Sequence, residues 1–219
     1  MVLFDNTWFL PDGETHLSAW MEKQDQRVDG RLTYQYRKYA TALSRCTAHR
    51  RVAVDIGAHV GLWSYWMALN FETLHAFEPK PEHGACWARN VPARAGVEFH
   101  ALALGAEARR VGVRTDAASS GNTYVVAGDD VEMRTLDSFQ FTDVDFIKID
   151  CEGYEYDVLA GARDTLARCR PVIIVEQKFG GGERYGHGPQ DAVALLVDMG
   201  AQQLFNLGWD FVMTFPEAA

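Results

Sequence analysis

Acidic residues stand where the apolar runs of this sequence end. Asp55 closes Val52-Ala53-Val54, Glu78 follows Phe77, Asp150 follows Ile149, and Glu176 follows Val175. Glu152 and Glu155 lie just beyond Asp150. Short apolar runs bounded by turn signals read as buried strands. In an open parallel α/β sheet the carboxyl ends of such strands face the ligand crevice. Carboxylates gathered there can bind ribose hydroxyls, hold an ammonium group or take a proton from a reacting hydroxyl.

The first strand exit is the most informative. Asp55 runs into Gly57, His59 and Gly61, and glycines at such a turn let the backbone bend tightly and approach a ligand. Glu78 follows Asp55 by 23 residues, at the end of the next strand, where an acid suits ribose hydroxyls. The turn lacks the GxGxxG spacing that makes room for a pyrophosphate, and Asp55 stands near the expected anion position. A phosphate-free adenosyl ligand carrying an ammonium and a sulfonium, S-adenosylmethionine, fits this combination better than NAD. The predicted cofactor residues are Asp55, Gly57, His59, Gly61 and Glu78. His59 is equally a helix-capping or packing residue.

Asp150, Glu152 and Glu176 are the candidate catalytic acids. Asp150 would orient the reacting centre, and Glu176 would accept a proton or a substrate hydrogen bond. Methyl transfer needs the acceptor held in line, so positioning carries much of the rate. Glu152 and Glu155 also suit a helix N-terminus near residue 154, and Glu176 also suits an ion pair with Lys178. No ligand spacing establishes a metal, and none is expected. The glycine-rich stretch from Phe179 to Gly188, with His187, is either a flap over the acceptor or a surface loop.

The stretches Asp55-Ile56-Gly57-Ala58-His59-Val60-Gly61, Phe77-Glu78-Pro79, Asn90, and Lys148-Ile149-Asp150-Cys151-Glu152-Gly153-Tyr154-Glu155, followed by Val158-Leu159-Ala160-Gly161-Ala162, resemble the FkbM-type methyltransferases. The resemblance covers about residues 51 to 177. Cys151 stands where a small apolar residue, often valine, is usual. The resemblance implies a Rossmann-like methyltransferase sheet, methionine-part contacts near Asp55 and Gly57, ribose contact at Glu78, and transfer to an oxygen of a sugar, polyketide or other small metabolite. An NAD-dependent oxidoreductase, or a non-catalytic binding protein retaining the fold, is the alternative.

The elements that must position these residues follow from pattern. Strands are predicted at 52–55, 73–77, 97–104, 146–149 and 172–175, and helices at 62–71, 81–90, 155–169 and 190–199. A closing strand pair is predicted at 203–207 and 211–215. Strands alternating with helices imply a mostly parallel sheet covered on both faces, and the final hairpin makes it mixed. Residues 105–135, rich in Gly, Asp and Ser, read as a β-hairpin insertion. Residues 1–50 read as an N-terminal lead-in with a helix over 31–48, and 51–219 as the main domain. Trp8, Trp20, Tyr34 and Tyr36 would pack over the cofactor mouth or form a dimer contact, so a homo-oligomer is one option.

With 219 residues, 47% of them hydrophobic, one packed domain is expected. The net charge of −9 disfavours a broad phosphate-gripping surface, so a nucleic-acid partner is not expected. Four unpaired cysteines, no signal-peptide pattern and no membrane-length apolar run predict a soluble cytoplasmic protein.

Overall fold

The computed structural model describes residues 1–116 and 119–216. Ala117 and Ala118, inside the expected insertion, and residues 217–219, at the end of the expected main domain, lie outside the described residues. Seven strands make the central sheet: β1 Val52–Ile56, β2 Thr73–Phe77, β3 Val97–His100, β4 Val144–Ile149, β5 Val172–Glu176, β6 Gln202–Asn206 and β7 Asp210–Thr214. Their order is β3-β2-β1-β4-β5-β7-β6. Strands β1 to β5 pair in parallel, and β7 is antiparallel to both β5 and β6. The order reverses between β1 and β4, which is the switch point where open α/β sheets bind ligands.

Strand residues alternate between two apolar layers. Ala53, Leu74, Ala76, Phe146 and Ile174 pack under Tyr39, Trp63, Trp66 and Trp87, which belong to helices α2 Tyr36–Leu43, α3 Leu62–Asn70 and α4 Pro81–Asn90. Val54, Ile56, Ile147, Ile149 and Ile173 pack against Val158, Leu166 and Leu196, from α5 Glu155–Ala160, α6 Arg163–Cys169 and α7 Asp191–Asp198. Burial on both faces explains why these strands read as continuous apolar runs.

Several elements differ from the sequence reading. The third strand ends at His100, and Ala103–Leu104 joins a different sheet, parallel to Met133–Arg134. The insertion holds two long antiparallel strands, Arg109–Thr115 and Thr123–Arg134. Gly128-Asp129-Asp130 is a bulge within the second of these, where the register shifts between Val126 and Val131. The helix expected over 155–169 breaks at Gly161, where a Cβ would stand 2.1 Å from the Gly105 carbonyl oxygen. The helix expected over 31–48 is only α2, since Arg31–Leu32 pairs with Arg27–Val28 as a small hairpin.

The N-terminal residues contain a helix the polar composition concealed, α1 His16–Gln24, buried through Leu17 and Met21. Before it, Val2–Phe4 and Trp8–Leu10 form a hairpin. Asn90 fastens this hairpin to the core: its Oδ1 accepts from the Phe9 N–H at 2.7 Å, and its Nδ2 donates to the Phe9 and Val60 carbonyls. Trp8 is fully buried, edge-on to Tyr65, with its indole N–H donated to the Leu32 carbonyl. It therefore packs inside the chain and is not available as a dimer contact.

Candidate active site

One large crevice, about 1140 Å³ including its open mouth, lies over the β1–β4 switch point. Its floor is the glycine turn after β1. Gly57 has φ +75°, and a Cβ there would sit 1.9 Å from the Asp150 carbonyl oxygen, so the tips of β1 and β4 touch through backbone alone. The N–H groups of Gly57 and Ala58 both donate to the Phe77 carbonyl, which ties the turn to β2. Gly61, at φ +88°, has a different task. It begins α3, and a Cβ would strike Trp87 and Val91, so it serves helix packing and does not line the crevice.

Glu78 lies on the crevice wall and is nearly buried. Its carboxylate is held by the backbone N–H groups of His59 (3.0 Å) and Lys80 (2.9 Å), with His83 Nδ1 at 3.2 Å. His59 takes a left-handed φ of +50° to aim its N–H this way. Its ring meets Ser120 of the insertion at 3.0 Å and stands edge-on to His83. Burial, with His83 alongside, lowers the His59 pKa well below its usual value, so the ring is neutral.

Asp55 is placed differently from the expectation. It is fully buried under the turn and does not line the crevice. One oxygen accepts from Ser64 Oγ at 2.5 Å, and Ser64 in turn accepts from the Trp87 indole N–H. The other oxygen has no hydrogen-bond partner, with Lys148 Nζ 3.7 Å away. Lys148, directly opposite Asp55 in the β1–β4 register, is the residue sequence reasoning passed over. Its ammonium donates to the Gly57 carbonyl at 2.9 Å and lies 3.5 Å from Asp150. Burial alone would lower its pKa, but Asp150 and Asp55 together raise it, so it is charged. A lone lysine inside Phe146-Ile147-Lys148-Ile149 was the signal available in the sequence.

Across the crevice from Glu78 stand Asp150, Glu152 and Glu176. One carboxylate oxygen from each lies within 4.8 Å of the others. Glu152 occupies a left-handed φ of +52° in the turn after β4, strain of the kind that collects at functional sites. Lys178 Nζ is 3.3 Å from Glu152, so the lysine expected to pair with Glu176 pairs with Glu152. Burial, then Asp150, raises the Glu152 pKa to about 7. Burial, then Asp150 and Glu152, raises Glu176 well above the carboxylate range. Glu155 is not part of the trio. Its carboxylate caps the turn by accepting from the Cys151 and Gly153 N–H groups, as the helix-terminus alternative anticipated. Cys151 lines the crevice as an uncharged thiol, since burial and then Glu155 raise its pKa.

The mouth is roofed by His16, Leu17 and Tyr34 from the N-terminal segment and by Ser119, Gly121 and Asn122 from the insertion. Glu14 accepts the Ser120 N–H at 2.9 Å and joins the two. The glycine-rich 179–188 stretch packs away from the crevice. His187 pairs with Asp157 and stacks on Tyr156, and Arg184 covers Tyr124.

A tight glycine turn, a buried acid at the β2 tip and an acidic far wall, set on this strand order, are consistent with the methyltransferase class of α/β folds. Residues 55–202 match the family model described as the methyltransferase FkbM domain. The chain belongs to that family, a class of S-adenosylmethionine-dependent methyltransferases. No curated protein gives a significant sequence match. Among solved structures, methyltransferase FkbM from Methylobacillus flagellatus KT superposes with a TM-score of 0.52 at 19% identity, covering 77% of this chain and 44% of that one. The chain thus spans less than half of that protein's length. Magnesium protoporphyrin IX methyltransferase from Synechocystis PCC 6803, solved with bound S-adenosylmethionine, gives 0.53 at 12% identity over 94% of this chain and 86% of that one. At these identities the likeness is one of fold. Among the described residues no helix is long and apolar enough to cross a membrane.

Proposed function

We propose that this chain moves a methyl group from S-adenosylmethionine to a hydroxyl oxygen of a small polar or carbohydrate-like acceptor. The observation that carries the reading is the carboxyl trio of Asp150, Glu152 and Glu176 facing the glycine turn across one crevice. The residues fit the cofactor. Gly57 lets the tips of β1 and β4 meet beneath the crevice, Glu78 offers a buried carboxylate to ribose hydroxyls, and the trio favours a ligand bearing a sulfonium and an ammonium.

When bound, the cofactor supplies an electrophilic methyl group. The chain's own residues do the rest. Lys148 fixes the Gly57 carbonyl and the Asp150 carboxylate, so Asp55 acts through it as a positioning residue. Asp150 orients the acceptor hydroxyl. Glu152, with a pKa of about 7, is matched to accept the hydroxyl proton near neutral pH. Glu176, raised well above the carboxylate range by burial and by Asp150 and Glu152, lines the same wall and can hydrogen-bond the acceptor. The roof of Tyr34, His16 and Asn122 excludes water and selects acceptor size.

The test is an assay with methyl-labelled cofactor against a panel of sugars, polyols and simple alcohols, with amine analogues of the same shapes beside them. Label on oxygen is expected. Label on amines alone refutes the hydroxyl assignment, and label on neither class refutes transfer to small acceptors of these kinds.

A further inference from the structure

Outside the crevice, His75, Glu98 and His100 meet on the outer part of the sheet. His75 and Glu98 are partners in the parallel β2–β3 register, and His100 lies two residues on, so all three side chains share one face. It is the face that α5–α7 cover elsewhere, and here Phe139 and Phe141 stand against the two rings instead. His75 Nδ1 is 3.2 Å from His100 Nε2 and 3.4 Å from a Glu98 carboxylate oxygen, and that oxygen is 3.9 Å from His100 Nε2.

We infer that His75, Glu98 and His100 form a binding site for one divalent transition-metal ion of the zinc class. Two ligands about 2.0–2.2 Å from one ion stand roughly 3.3–3.5 Å apart across a tetrahedral angle. One separation falls in that range and the His75–His100 one lies just below it, while the wider one is closed by rotating Glu98, whose side chain is 57% exposed. Two imidazole nitrogens and one carboxylate are a borderline donor set that suits zinc, cobalt or nickel over magnesium or calcium, and they leave a fourth position for water.

The electrostatics agree. Burial lowers the pKa of both His75 and His100 despite Glu98 beside them, and a dication would supply positive charge beside the Glu98 carboxylate. Arg134 also reaches this side, over Phe139, but Glu132 stands 3.9 Å from its guanidinium. The ion would pin β2 to β3 just behind the ribose acid. The Glu78 N–H donates to the His100 carbonyl at 3.2 Å, and the His100 ring stacks on Phe77, which lines the crevice.

The experiment uses the full chain, free of any histidine tag and stripped with chelator. It is titrated with Zn²⁺ by calorimetry and with Co²⁺ by absorption spectroscopy. One ion per chain is expected, with a dissociation constant below about 1 µM. At a free-ion concentration a hundred times that constant the melting temperature should rise by roughly 5–10 °C. His75→Gln and His100→Gln should each weaken binding at least about tenfold. Glu98→Gln, exposed enough to spare the fold, should do the same. Glu176→Gln, which alters the crevice acids instead, should leave it unchanged. Absence of one-to-one binding by the wild type overturns the site. So does affinity that survives Glu98→Gln but falls in Glu176→Gln.

Discussion

The two walls of the crevice are built on opposite principles. The cofactor wall is made of backbone: Gly57 against Asp150, the Ala58 and Gly57 N–H groups on the Phe77 carbonyl, and Glu78 held by the N–H groups of His59 and Lys80. The acceptor wall is made of side chains that repel one another, with Glu152 and Glu176 pushed up by burial and by Asp150. The first wall is organised before any ligand arrives. In the proposed reading Glu152, raised to about 7, is partly deprotonated near neutral pH and can accept a proton, as a base working there requires. The proposed function thus assigns binding geometry and acid–base chemistry to different strand ends of one sheet.

The largest expected effect breaks the first wall. Gly57→Ala places a Cβ into the Asp150 carbonyl at a φ of +75°, and should cost about 3 kcal/mol or more. That corresponds to a melting temperature lower by roughly 6–12 °C, read by calorimetry. Gly13→Ala is the control. Its φ is +78° but nothing lies within 4 Å of the new Cβ, so its cost should stay near 1–2 kcal/mol.

Next comes the second wall. Glu152→Gln should lower kcat by about 10²–10³-fold with little change in cofactor affinity. In the wild type, kcat/KM should rise with pH through about 7 as Glu152 loses its proton. The variant should lose that limb, and an unchanged profile assigns the base elsewhere.

A smaller effect concerns the roof. Asn90→Ala removes three hydrogen bonds to Phe9 and Val60. It should cost about 1–3 kcal/mol and speed proteolysis within the first ten residues. A separate test is the pH dependence of stability without cofactor. The Glu152 and Glu155 pKa values are each raised to about 7 from 4.5. Between those values the folded chain binds more protons than the unfolded one, so stability is present below the window and declines as pH rises through it. Melting temperatures from pH 5 to 8 should fall, and Glu155→Gln should flatten the slope.

Much of this was legible in the sequence where physics is local. The strands at 52–56, 144–149 and 172–176 were readable because burial on both faces makes apolar runs. Helix α4 was placed to the residue by Pro81 at its start. Gly57 was recognisable as a backbone necessity, although its obstacle, the Asp150 carbonyl, is 93 residues away in sequence. What the sequence concealed depends on long-range partners. Asp55 looked like a ligand contact because its neighbours Ser64, Trp87 and Lys148 converge only in the folded chain. Gly161 broke a helix because of Gly105. His75 faces Glu98 and His100, partners that meet it only across the β2–β3 register.

The central claim is that the adenosyl ligand lies across the glycine turn with its ribose on Glu78. Calorimetric titration of S-adenosylmethionine into the wild type and Glu78→Gln tests it most directly. The variant, folded to the same melting temperature, should bind about 10–100-fold more weakly, the value of hydrogen bonds to a buried charged acceptor. Equal affinity in the two proteins contradicts the placement.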